Sequence, residues 1–299
     1  DQFFAELLHG ESYAVRRGAA YGLAGVVQGR GINSLRDLRV LPRLSDAVAQ
    51  SSAPTERQGA LFAYETLTRT LRVLFEPYVR GILGDLLVCF GDTHAEVREA
   101  TEDAARALMQ HISGQCLKQV LPQLLEGLEE KQWRTKKGAI ELLGAMAYCA
   151  PRQLSAALPT VIPRLSEVLA DSHTQVRTAA NKSLKQFGKV IHNPEVNALV
   201  PVLLKALVDP NAKTAAALRA LLETKFVHYI DAPSLALIAP ILERGLRERV
   251  VGSQKNAAQI VGSLASLTDA RDFVPYLPRY TPLVRAVLVS PVPDARSVA

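Results

Sequence analysis

The sequence predicts an all-α chain of about seven helical hairpins stacked in a row, and three observations carry that prediction. A phrase of the form D-[TS]-H-x-x-V-R occurs at residues 92–98 and again at 171–177, 79 residues later. The slot held by Val97 and Val176 in that phrase recurs at Val15, Glu56, Thr135, Ala212 and Gln254, with spacings of 41, 41, 38, 41, 36 and 42 residues. The composition favours helix over strand, with 48% apolar residues rich in Ala and Leu but only 6% aromatic.

Each slot opens a second helix of its unit, helix B, about four turns long. In residues 176–191 the apolar set Val176, Ala180, Leu184, Phe187 and Ile191 keeps helical spacing. Asp171 and Ser172 stand ahead of it as N-cap candidates. The residue after each slot is basic: Arg16, Arg57, Arg98, Lys136, Arg177, Lys213 and Lys255. Three and four places after the slot the residues are small, as in Gly59–Ala60, Gly138–Ala139, Ala179–Ala180 and Ala215–Ala216. Small side chains there let helix B approach its neighbours. Upstream lies helix A, which in most units contains a proline: Pro42, Pro122, Pro163, Pro201, Pro240 or Pro282. Two helices per period of about 40 residues define the HEAT/armadillo class, in which no unit buries its apolar face alone. The expectation is therefore one array over residues 1–299, a right-handed α-superhelix. Its units are anchored near 15, 56, 97, 135, 176, 212 and 254, and it is a piece of a longer solenoid.

Chemical motifs are sparse. Residues 16–31 are Gly-rich but contain neither G-x-G nor G-K-[ST], so they read as a helix packed through glycines rather than a phosphate loop. No H-E-x-x-H, G-x-S-x-G or kinase signature occurs. His94 and His173 share one repeat slot and read as turn or capping residues. Cys89, Cys116 and Cys149 form no C-x-x-C pair, which points to a reducing compartment such as the cytoplasm rather than to disulfides or zinc. No enzyme, cofactor or metal site is expected, and no membrane span.

Charge is the informative property. Residues 1–150 carry 17 Lys and Arg against 18 Asp and Glu, a net −1, whereas residues 151–299 carry 18 against 11, a net +7. No acid lies between Ser172 and Pro194. Lys182, Lys185 and Lys189 fall at i, i+3 and i+7, on one face of helix B and away from Leu184 and Phe187. An ordinary solubilising surface mixes both signs. Arg177 stands at the head of the same helix, and Arg134, Lys136 and Lys137 cluster beside Trp133. These seven basic residues are the candidates for contact with a polyanion. The competing reading of the basic column, which includes Arg177 and Lys136, is an internal ladder bonded to acids or carbonyls of the adjacent unit. Residues 226–238, FVHYIDAPSLALI, read as a long irregular insert, either a packed loop or a partner contact, with Phe226, His228 and Tyr229 as the candidates for a protein contact.

Several stretches carry a more specific likeness: RRGAAYGLAG (16–25), FEPYV (75–79), WRTKKGAIELLGAMAY (133–148), DSHTQVR (171–177), NPEVNALVPVLL (193–204) and FVHYIDAPSLALI (226–238). They resemble the general-control translational activators over essentially the whole chain. Those are very large HEAT-repeat proteins that switch on the kinase for translation initiation factor 2α during amino-acid starvation. The segment in question is similar to the HEAT region of the fungal third elongation factor. The resemblance implies a cytosolic parent riding on translating ribosomes and a segment contributing ribosome contact and docking of an ABC-type ATPase partner. It places kinase contact in a region outside this chain. Two other classes stay open. One is a protein-binding scaffold of the phosphatase-scaffold or transport-receptor type, against which the +7 of residues 151–299 argues. The other is a HEAT-like DNA-base excision enzyme, for which no acid in an aromatic, basic cleft is found.

Overall fold

A computed structural model describes residues 1–289 and Arg296. The described residues are helical apart from turns and a lone bridge between Ile230 and Thr268. The chain divides into two compact units, Asp1–Gln153 and Leu154–Ala299.

In the first unit, α1 (Gln2–His9) pairs with α2 (Tyr13–Arg30), and a single turn, α3 (Ser34–Asp37), leads into α4 (Val40–Gln50) and α5 (Pro54–Leu71). The 3-10 turn Arg72–Tyr78 leads into α6 (Val79–Phe90) and α7 (Ala95–His111), and α8 (Gly114–Glu126) pairs with α9 (Trp133–Cys149). α10 (Pro151–Val168) and α11 (Thr174–Phe187) follow. The second unit continues with the 3-10 turn Gly188–Val190, α12 (Pro194–Val208), α13 (Pro210–Glu223), α14 (Ala232–Arg247) and α15 (Val251–Leu267). α16 (Ala270–Phe273) and the 3-10 turn Val274–Tyr276 precede α17 (Leu277–Leu288). No helix among the described residues is long and apolar enough to cross a membrane.

Each slot read from the sequence falls within the first four residues of a helix B, from Val15 in α2 to Gln254 in α15. Prolines sit inside α8, α10, α12, α14 and α17. The small columns are packing columns: a β-carbon at Gly59 would overlap the Leu7 carbonyl, and one at Gly138 would overlap the Phe90 ring. Ala139, Ala179 and Ala180 are buried. The glycines of residues 16–29 lie inside α2, and Gly31 closes the helix at φ 89, a conformation glycine adopts without steric cost.

The register differs from the sequence reading at two repeats. Val15 is 44% exposed, and Arg16 takes the buried position beside Ala19 and Ala20. In α13 the buried residues are Thr214, Ala217, Leu218 and Leu221, which leaves Ala212, Ala215 and Ala216 exposed. The inward stripe of that helix therefore starts two residues after the expected slot. The cause is the connection: one residue, Asp209, joins α12 to α13, where α10 and α11 are joined by five. Asp209 caps α13 by accepting a hydrogen bond from the Ala212 amide at 3.3 Å.

Three local expectations are also corrected. The N-cap of α11 is His173, whose Nδ1 accepts from the Gln175 amide at 3.3 Å. Asp171 lies two residues earlier and accepts from the His173 amide at 2.8 Å. α11 ends at Phe187 rather than reaching Ile191, because the backbone tightens to 3-10 at Gly188. Only residues 226–231 of the supposed insert are irregular; Ala232–Arg247 is helix, started by Asp231, which accepts from the Ser234 amide at 3.0 Å.

Candidate functional site

The basic column is built into the turns. Arg16, Arg57, Arg98 and Arg177 each reach back six residues and donate Nη1–H to a backbone carbonyl. The acceptors are Gly10 at 2.8 Å, Ser51 at 2.8 Å, Asp92 at 2.8 Å and Asp171 at 2.7 Å. Arg98 and Arg177 also reach the carbonyls of Thr93 and Ser172, each at 2.8 Å. These carbonyls belong to the turn between helices A and B, where no helical amide is in reach. A long planar donor closes that end. The ladder is thus mainly within each unit rather than between units. Arg16 and Arg57 add links to the next repeat, Arg16 Nη2 donating to Gln58 Oε1 at 2.8 Å and Arg57 Nε to Asp92 at 2.7 Å. Arg177 is held by this geometry, with a third bond to Thr174 at 3.0 Å. Lys213 makes no such bond among the described residues and lies exposed at the start of α13.

In the first unit, the cluster beside Trp133 lies on the opening turn of α9. The Arg134 guanidinium covers the Trp133 ring at 4.7 Å, a cation–π contact. Lys137 pairs with Glu141 at 3.5 Å, and Lys136 is also engaged. The aromatic face and much of the positive charge are therefore partnered from within α9.

In the second unit, Lys182 and Lys185 lie exposed on α11, while Lys189 is exposed on the 3-10 turn after it. The buried face of α11 is Val176, Ala179, Ala180, Ser183, Leu184 and Phe187, so the lysines point away from the core. The loop 224–231 is tied down at several points. Asn193 donates to the Tyr229 carbonyl at 3.0 Å, Glu195 contacts His228 at 2.6 Å, and Ile230 donates to the Leu267 carbonyl at 2.9 Å. The His228 hydrogen bond holds the Glu195 carboxyl below its usual pKa. Phe226 is half-buried, whereas Val227 and Tyr229 are 80% and 76% exposed on this pinned loop.

Sequence reasoning missed a groove on α12. Lys205 joins Lys185 and Lys213 around apolar residues of that helix. The available signal was VPVLLKALV (200–208), which is apolar on more than one face of a helix. Among the described residues no group of three or more His, Cys, Asp or Glu is placed to hold a metal. Burial pushes the Cys89 thiol up to about 12 and the Cys116 thiol up to about 11, away from the reactive thiolate.

Comparison with known proteins matches residues 16–184 to the EF3 N-terminal HEAT repeat and residues 211–299 to the Elongation factor 3/GNC1 HEAT repeat. The chain is 53% identical over 98% of its length to the Stalled ribosome sensor GCN1 of Homo sapiens, covering 11% of that protein. It is 45% identical over 96% of its length to the eIF-2-alpha kinase activator GCN1 of Saccharomyces cerevisiae, again covering 11%. The chain thus spans about a tenth of these relatives. A crystal structure of a Kap121p mutant superimposes with a TM-score of 0.54 at 16% identity, covering 95% of this chain and 31% of that one, a likeness of fold alone.

Proposed function

The chain belongs to the elongation factor 3/GCN1 HEAT-repeat family, and on that premise we propose that it is a non-catalytic scaffold segment of a ribosome-associated activator of the initiation factor 2α kinase. Its part is contact with the ribosome and docking of an ABC-type ATPase partner, in the cytoplasm, while the kinase is engaged by a region outside this chain. The observation that carries the reading is the lysine face of the second unit. Lys182, Lys185 and Lys189 are exposed, and no acid occurs from Ser172 to Pro194 to offset them in sequence. Arg177 is bonded to its own turn, Arg134 covers Trp133 and Lys137 pairs with Glu141. Exposure on a stretch of chain without acids makes the three lysines the first candidates for RNA phosphates. The pinned loop with Phe226, His228 and Tyr229 is the candidate for the ATPase partner. It presents Val227 and Tyr229 on a backbone already ordered, which lowers the entropy cost of docking.

Co-sedimentation with 80S ribosomes over a salt series tests the ribosome contact. The chain should pellet at low salt, and Lys182→Glu/Lys185→Glu/Lys189→Glu should not, with an unchanged melting midpoint. If each lysine neutralises one phosphate, the slope of log K against log salt falls by roughly 2–3 in the variant. Equal pelleting of both proteins at every salt concentration rules the lysine face out.

A further inference from the structure

The second unit holds an open groove of about 510 Å³ formed by α11, α12 and α13. Its floor is Val200, Leu204 and Val208, at i, i+4 and i+8 on α12, so the three line one ridge. Leu204 is buried and Val208 is 38% exposed. Its rim carries one exposed lysine from each helix, Lys185, Lys205 and Lys213, none with an ion-pair partner among the described residues. Among the described residues the only carboxylate lining the groove is that of Asp209, and it caps α13.

Two features of the fold create this surface. Lys213 stands exposed at the start of α13 and, among the described residues, makes none of the turn-carbonyl bonds that occupy the column arginines. α12 carries more apolar side chains than its core stripe of Val196, Leu203, Leu204, Ala206 and Leu207 uses.

We propose that this groove docks an acidic amphipathic helix of a protein partner, its apolar side chains on Val200, Leu204 and Val208 and its carboxylates on Lys185, Lys205 and Lys213. Charge and shape select the occupant together. Three unpaired lysines around an apolar strip match a helix with leucines at i, i+3, i+4 and i+7 and Glu between them. An RNA strand would satisfy the lysines but would leave the floor wet, so the apolar ridge favours the peptide. The site goes beyond the ribosome reading, which needs no apolar floor.

The test is fluorescence anisotropy of the 299-residue chain with a labelled synthetic Leu/Glu peptide of about five helical turns. The controls are a scrambled peptide of the same composition and poly(U) RNA. The periodic peptide should bind roughly tenfold more tightly than the scrambled one, and Val208→Ser should weaken it by roughly five- to tenfold, the weight of one partly buried valine. Poly(U) binding should not respond to Val208→Ser. Lys205→Glu/Lys213→Glu should abolish binding of the Leu/Glu peptide and create binding of its Leu/Lys counterpart. All three positions are exposed, and equal melting midpoints establish that the variants fold. Were Val208→Ser to unfold the chain, the charge-swap pair decides by itself. Equal binding of periodic and scrambled peptides, or an equal loss of poly(U) binding on Val208→Ser, overturns the proposal while leaving the lysine face of α11 untouched.

Discussion

Ala180 and Ala216 hold the same place in the sequence repeat, yet Ala180 is buried and Ala216 is exposed. Burial of the small column at Ala180 predicts that Ala180→Trp overpacks the unit, costing roughly 1–3 kcal/mol in urea unfolding. Ala216→Trp should stay within about 0.5 kcal/mol of the parent, as surface substitutions do. Equal losses at the two sites would contradict the two-residue shift of α13. The small residues were legible from spacing alone, because the i+3 and i+4 positions of a helix share a face. The shift was not, because Lys213 follows Ala212 as a basic residue follows the slot everywhere else. Its meaning depends on a connection length that the residue type does not reveal.

Elements are joined by a small number of charged contacts in the first unit, and these set its response to pH. Burial alone would raise the Asp92 pKa, but hydrogen bonds from Arg57 and from the His94 amide outweigh it and hold the carboxyl below its usual 3.8. Glu65, on α5, is similarly held below 4.5, burial being outweighed by Arg17 and Arg69. Groups depressed on folding contribute stability that is full above their unfolded values and is lost as pH falls through the folded ones. Asp85 runs the other way. Burial raises it despite hydrogen bonds from Tyr64 at 2.5 Å and Ser45 at 3.2 Å, so its contribution is full below 3.8 and lost as pH rises through the raised value. Asp92→Asn should therefore flatten the fall in melting midpoint between pH 6 and pH 3, measured by circular dichroism. A fall as steep as the parent's would show that Asp92 is not the group that titrates. At this scale the place of Asp92 was visible, because it opens the repeated phrase at residues 92–98. The pair Tyr64–Asp85 was not visible, since it joins α5 to α6 across 21 residues with no repeated spacing.

For the molecule as a whole, the two compact units follow from the repeat principle, in which each hairpin packs on its neighbours and needs no distant partner. A chain ending at residue 150 keeps α1–α9 whole and should fold alone, with a helical spectrum and a cooperative urea transition. A broad, non-cooperative transition would show that the first unit depends on the second for its stability. The net +7 of residues 151–299 gives the proposed ribosome contact a dependence on salt. The number of lysines that reach phosphate, rather than the total charge, sets its slope.

The sequence by itself determined the fold class, the placement of every helix B to within a few residues, the small packing columns outside α13 and the family. Each is a local, periodic property: helix geometry converts spacings of three and four into a face, and a spacing near 40 into a stacked unit. Tertiary structure decided which basic residues are available. Arg57, Arg98 and Arg177 look as free as Lys205 and Lys213 on paper, but turns that expose carbonyls occupy the former. Lys213 makes no such bond among the described residues, and with Lys185 and Lys205 it surrounds one groove along the apolar ridge of α12. Whether a charge is tied or free depends on which backbone acceptors lie within reach in three dimensions, and no one-dimensional spacing encodes that.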